Sequence, residues 1–155
     1  MTTRTRWAQS ALLPAMLAGM LLAMPAWAEN PIGFVKTVEG SAFVERASGR
    51  VDLKPGDPLY QSDVCETAEG ASLGMTFRDN MVLSAGPNTR VTLATFEFVP
   101  TESKLSVLLQ VARGTLQYIS GLVAKLAPDA VTIETPVASI AVRGTRFVVR
   151  VEEEN

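Results

Sequence analysis

The sequence predicts an all-β domain of short strands joined at Gly/Pro turns, arranged either as a short β-solenoid or as a sandwich. Three observations lead there. Apolar and polar residues alternate at period two in many short runs. Glycine, proline and Asp-Asn pairs interrupt those runs every few residues. The one long stretch that also partly fits a helical period, Leu105–Leu126, carries Gly114 and Gly121 inside it. The clearest alternation is Thr135–Val151, where Thr145, Phe147, Val149 and Val151 fall on one face of an extended chain. Arg146, Val148 and Arg150 fall on the other. Pro136 cannot donate to a ladder, so it divides one strand from the next. Gly144 reads as a corner with positive φ, at which a valine is expected to cost about 1–3 kcal/mol.

From the N-terminus, Arg4 and Arg6 precede an apolar run from Ala11 to Met24, closed by Pro25-Ala26-Trp27-Ala28. A basic start, a short apolar core and small residues before a cut after Ala28 describe a secretory signal peptide over residues 1–28. Removing 28 of 155 residues leaves 127, enough for one domain with a real core over residues 29–155. Arg4 and Arg6 leave with the signal, so 14 basic residues become 12 against 16 acidic, net −4. Mild acidity without a basic cluster argues against a nucleic-acid partner. The membrane is involved only through the signal during export, and the expected location is periplasmic or secreted. Cys65 is the one cysteine, so no internal disulfide forms, and it reads as a small buried strand residue.

Strands follow at close spacing: Ile32–Val38, Ser41–Arg46, then Arg50–Lys54 with Val51 and Leu53 on one face. Pro55-Gly56-Asp57-Pro58 is a turn by local chemistry. Ser72–Arg78 points Leu73, Met75 and Phe77 inward, Asp79-Asn80 reads as a two-residue hairpin turn, and Met81 and Leu83 continue the inward face. In Arg90–Val99 the apolar phase slips by one residue, which calls for a bulge near Ala94-Thr95. Leu105–Val111 alternates, Gly114 turns the chain into Thr115–Ser120, and a turn of helix fits Leu122–Leu126 before Pro128. The pairs Gly40-Ser41 and Gly70-Ala71, and Gly114-Thr115 and Gly144-Thr145, are each 30 apart, and Arg113-Gly114-Thr115 repeats as Arg143-Gly144-Thr145. That repeat favours stacked coils over a sandwich.

Three groups of residues now carry a resemblance. Gly56-Asp57-Pro58-Leu59 with Asp63 and Thr67 resembles a G-D-x-L-x-x-D-x-x-x-T pattern. Ala71–Phe77 followed by Asp79 resembles the strand and acidic turn after it. Thr135-Pro136-Val137-Ala138, then Val142-Arg143-Gly144-Thr145 and Phe147, resembles a TP-x-A … V-RGT-x-F ending. Together they resemble the FecR domain, the ferric-citrate regulator family of bacterial envelope proteins, over roughly Val38 to Val151. The resemblance implies a non-catalytic periplasmic β module that binds an envelope protein partner, with Gly56, Asp57, Asp63, Thr135, Pro136, Arg143, Gly144 and Thr145 as family motif positions. The family's full-length regulators add a membrane helix and a cytoplasmic segment that inhibits a sigma factor. A signal peptide at the start and an end four residues after Val151 make the expected form free-standing.

The residues themselves point away from catalysis. The chain has no histidine, which removes the commonest general base and the usual Ser-His and Cys-His pairs. Zinc lacks its usual ligands, and Asp57, Asp63, Glu66 and Glu69 have no calcium-loop spacing; no metal or cofactor is expected. Asp57, Asp63 and Asp79 read as turn residues serving the backbone. Arg143 is expected to pair with an acid such as Glu134. Either Ile32–Val38 or Arg146–Val151 is expected to be an open sheet edge to which a partner's strand adds. A second function, secreted glycan or peptidoglycan binding, requires exposed aromatic platforms, and no tryptophan remains after the signal is cut.

Overall fold

The computed structural model describes residues 29–144 and 146–152. Residues 1–28, which the sequence reads as a signal peptide, and Thr145, Glu153 and Glu154, on which further expectations fall, lie outside the described residues. The strands are β1 (Gly33–Glu39), β2 (Ala42–Arg46), β3 (Gly49–Asp52), β4 (Pro58–Leu59), β5 (Val64–Thr67), β6 (Ser72–Phe77), β7 (Val82–Ala85), β8 (Arg90–Val99), β9 (Lys104–Ile119), β10 (Val131–Glu134), β11 (Ser139–Ala141) and β12 (Arg146–Val151). A five-residue helix, α1 (Leu122–Leu126), follows β9 as the sequence predicts. The fold is all-β.

Strand β9 holds it together. Its first half lies between β8, antiparallel, and β10, parallel; its second half lies between β7 and β12, both antiparallel. Two sheets therefore share one strand. One runs β3-β2-β5-β8-β9-β10-β11 and the other β4-β1-β6-β7-β9-β12, and the whole curls into a half-barrel. Between its inner faces lies a single apolar core, in which Val44, Leu59, Met75, Met81, Leu83, Val91, Leu116 and Ile133 are fully buried.

This pairing corrects the stacked-coil expectation. Successive coils of a solenoid pair in parallel, whereas β9–β10 is the one parallel pair among the described strands. The 30-residue spacing of glycines does not mark stacked coils: Gly40 and Gly70 share a φ near +70°, Gly114 takes +90° and Gly144 lies outside the left-handed region. Gly114 does not divide two strands either, because β9 runs through it as one bent strand of 16 residues. The bend takes φ to +90°, and a Cβ there would stand 2.3 Å from Thr89 Oγ1 and 2.5 Å from Thr89 Cα. That crowding is a consequence of how Thr89 fastens the bend, its hydroxyl accepting the Thr115 N–H at 3.0 Å.

Local expectations met varied outcomes. Leu73, Met75 and Phe77 point inward on β6, and the register against β9 slips between Leu93 and Thr95, where the bulge belongs. The Asp79-Asn80 turn is one residue longer than expected. Asn80 N–H donates to Phe77 O and Phe77 N–H to Met81 O, with Asn80 at φ +66°, so the loop is Arg78-Asp79-Asn80. On β3, Val51 is exposed and only Leu53, just past the strand, is buried, because an outermost strand has no neighbour to cover it. Strand β1 is not an open edge along its length. Residues 56–59 close its outer side, with Ile32 N–H donating to Leu59 O, Gly56 N–H to Val35 O and Val35 N–H to Asp57 O, all near 2.8–2.9 Å.

Cys65 is buried in β5 and free, as its position implies. Burial first, then the Asp63 charge, pushes its thiol from 9.0 up to about 12. Two results follow. At pH 8 the native protein should be inert to a thiol reagent such as DTNB, with one thiol titrating in denaturant. Between about pH 9 and 12 the unfolded chain ionises this thiol while the native one does not, so stability should fall as pH rises through that window. Rapid labelling of the native protein would put the thiol at the surface.

Candidate functional site

The predicted motif positions form two separate groups, one around β4 and the start of β5 and the other around β10, β11 and β12. Gly56, Asp57 and Asp63 belong to the first. Gly56 adopts φ +95°, and Asp57 Oδ2 accepts the Lys54 N–H at 2.8 Å, so the turn is closed by its own aspartate. Leu59 then drops into the core. Asp63 is 2% exposed; its Oδ2 accepts the Tyr60 N–H at 2.9 Å, and both oxygens take a fork from Arg46, Nε at 2.7 Å and Nη2 at 2.8 Å. Arg46 also donates to Pro58 O and lies over the Tyr60 ring, 4.9 Å from its centroid. Arg46 is the residue that sequence reasoning missed. Nothing in a one-dimensional reading joins it to an acid 17 positions away.

The other two acids behave alike. Asp79, 1% exposed, accepts the Met81 N–H at 3.0 Å and the Val123 N–H at 3.2 Å, while its carbonyl takes the Leu122 N–H. It thus ties the β6–β7 loop to the start of α1, and Gly121 leaves room for that contact, since a Cβ there would stand 2.5 Å from the backbone N of Met81 as well as against the Asp79 carboxylate. Asp57, Asp63 and Asp79 all serve backbone N–H groups. Thr67, of the same motif, uses its hydroxyl to bond Gly86 O at 2.6 Å and the Thr89 N–H at 2.9 Å. A second missed constellation crosses four neighbouring strands: Arg90 bridges Glu45 at 2.8 Å and Glu66, and Arg113 stands 4.0 Å from Glu66. Among the described residues no group of three or more Cys, Asp or Glu is placed to hold a metal ion.

The second group lies around β10, β11 and β12. Thr135-Pro136-Val137-Ala138 is the tight turn between β10 and β11: Thr135 N–H donates to Ala138 O at 2.8 Å, and the Ala138 N–H to Thr135 Oγ1 at 3.0 Å. Pro136 sits in that turn as the strand divider the sequence predicts, and Val137 is 87% exposed. Arg143 pairs with Asp129 and not with Glu134, which instead accepts from Gln110 at 2.9 Å. The reason is geometric: β10 pairs with β9 at Glu134–Gln110, which turns Glu134 away from the corner. Gly144 also departs from expectation. Its φ lies outside the left-handed region and a Cβ there would meet nothing within 4 Å, so this corner does not demand glycine. Thr145 lies outside the described residues.

What this part of the molecule does present is a pair of open edges. Among the described residues, strand β11 pairs with β10 alone and β12 with β9 alone. A groove of about 530 Å³ runs between them, lined by Ile140, Val142, Arg143, Phe147 and Val149 among others. A second hollow of about 740 Å³ continues it under the Pro136-Val137 turn and past Val151. Phe147 and Val149 face inward, Phe147 stacking on Tyr118 at 4.9 Å between centroids. Arg146, Val148 and Arg150 face outward and are exposed.

Residues 63–155 match the family model described as FecR protein. The chain belongs to the FecR family. The match starts at Asp63, so Thr135, Pro136, Arg143, Gly144 and Thr145 lie within it and Gly56 and Asp57 before it. Neither the curated proteins nor the solved structures yield a match. The FecR family is envelope-associated, and among the described residues no helix is long and apolar enough to cross a membrane.

Proposed function

We propose that this FecR-family chain is a non-catalytic, exported envelope module that binds a protein partner by accepting an extended segment at the β12 edge. One observation carries the reading: among the described residues β11 and β12 are both unpaired on their outer sides, and they flank the same groove. Backbone N–H and C=O groups along such an edge can be completed by a further strand. The remaining edges are poorer templates. Strand β4 has two residues, and β3 has four, with Arg50 laid over the Phe43 ring. Periplasmic location and a role in envelope signalling belong to the same proposal, supported by family membership and by the leader-like residues 1–28.

The absence of catalysis is likewise inferred from chemistry. The turn carboxylates are committed to backbone N–H groups, and no histidine is available anywhere in the chain. Glycan binding draws less support, since Phe43 and Tyr60 lie under arginines and Tyr118 under Phe147, leaving Phe34 as the large exposed aromatic among the described residues.

A photo-crosslinker placed at Val148 on β12, and separately at Val51 on β3, tests the reading in intact cells. Both positions are about half exposed or more, at 60% and 47%. The expected result is a discrete adduct from Val148 and none from Val51. Adducts from both or from neither position would refute binding at this edge.

A further inference from the structure

Resting on that reading, we infer that the β12 edge is selective for an extended segment with acidic residues at positions i and i+4, apolar residues at i+1 and i+3, and an apolar or β-branched residue at i+2. The selection follows from which side chains an added strand would meet. Residues directly opposite each other on neighbouring strands touch, and those two positions apart share a face. Along β12 the outward face reads Arg146, Val148, Arg150, and neither arginine forms an ion pair among the described residues. Two free guanidinium groups, four residues apart with an exposed valine between them, are matched by carboxylates at the same separation around an apolar or β-branched residue. The alternate positions of the incoming strand face the other way, toward Phe147 and Val149, with Ile140 and Val142 across the groove. Those two positions are therefore apolar. The pattern is the same read in either direction, so it holds for parallel and antiparallel addition.

A second copy of this chain fits less well. A two-fold axis pairs β12 with itself in two registers that overlap five residues while keeping outward faces together. The one centred on Val148 sets Arg146 against Arg150 twice, which is repulsive. The one centred on Val149 leaves Arg150 opposite Val148 and brings an acid, Glu152, to Arg146 alone. Neither gives Arg150 an acid.

The test is fluorescence anisotropy on the purified protein with three labelled nonapeptides, whose central residues are Glu-Val-Thr-Val-Glu, Thr-Val-Thr-Val-Thr and Lys-Val-Thr-Val-Lys. The glutamate peptide should bind about tenfold tighter than the threonine peptide, with the lysine peptide weakest. The double variant Arg146→Glu/Arg150→Glu should reverse the order of the glutamate and lysine peptides. Both side chains are exposed, so its thermal melt should match the parent; if it does not, Arg146→Gln and Arg150→Gln separately should each erase part of the preference. Glutamate peptides N-methylated at odd or at even positions report the binding mode, because a strand pairs through one of its edges only. Loss of binding in one phase and retention in the other marks strand addition. Equal binding of all three peptides with that phase effect intact overturns the acidic selection and leaves edge binding standing. Retention in both phases overturns edge binding itself, and binding of none of the peptides overturns the inference. A dimer in sedimentation that the double variant dissociates would make a second copy the occupant and overturn it too.

Discussion

Replacing Gly114 with alanine should unfold the protein at a temperature lower by about 6 °C or more, whereas the same change at Gly144 should leave the melt nearly unmoved. Both glycines sit in the tripeptide Arg-Gly-Thr, at Arg113-Gly114-Thr115 and Arg143-Gly144-Thr145, so sequence treats them alike. At Gly114 an L-residue would have to hold φ +90° and force its Cβ against Thr89 and against Asn88 O at 2.8 Å. Backbone strain of about 1–3 kcal/mol adds to an overpacking cost of about 1–3 kcal/mol. For a domain of this size each kcal/mol moves the midpoint by roughly 3–6 °C. At Gly144 neither cost arises, and an exposed substitution without such a feature stays within about 0.5 kcal/mol. Paired thermal melts of the two alanine variants decide the matter. Equal losses would mean that the bend in β9 has been put in the wrong place.

The second large effect is expected at Asp63. Alanine there leaves the Arg46 guanidinium without its counter-ion and the Tyr60 N–H without its acceptor, both at a site where the carboxylate is 3% exposed and the arginine side chain 25%. Breaking one half of a buried pair costs about 3–5 kcal/mol, and the partial exposure of Arg46 places the loss at about 3 kcal/mol. The Asp63 hydrogen bond is the first cause of a raised Arg46 pKa, so the guanidinium keeps its charge in any ordinary buffer. Removing both partners should hurt less than the sum of removing each. In urea denaturation, Arg46→Met with Asp63→Leu is expected to recover about 1–2 kcal/mol relative to additivity. Strictly additive losses would show that the two side chains do not act on one another.

These two cases also show which parts of the molecule can be read from the chain. Alternation is local, so the inward set Leu73, Met75 and Phe77 is legible, as is the one-residue slip at Ala94-Thr95 that the structure turns into a bulge. Turn chemistry is local too, and Gly56-Asp57 behaves as its side chains dictate. Pairing is not local. Whether strands stack as coils or fold back is decided by contacts such as β5 with β8 and β7 with β9, which sequence order does not announce. For the same reason Arg46 with Asp63, and Arg90 with Glu45 and Glu66, emerge only when neighbouring strands bring them side by side.

The candidate site divides along the same line. Alternating Arg146, Val148 and Arg150 shows in the sequence, and so does the expectation that this terminal strand borders a sheet. That β11 stops at a neighbouring border, making one groove out of two unfinished sheets, depends on β9 being held in common. A strand buried in the middle of both sheets cannot be foreseen from a stretch that also half-fits a helix.

Sharing one strand has a mechanical consequence. Arg146–Val151 lies antiparallel along Gly114–Ile119, six residues against six, so a pull directed along the edge loads all those rungs together in shear and does not peel them singly. The strand that receives the load carries neighbours from both halves of the half-barrel on its other flank. A tug at this border is thereby passed to the entire domain, which makes the shared strand its keel.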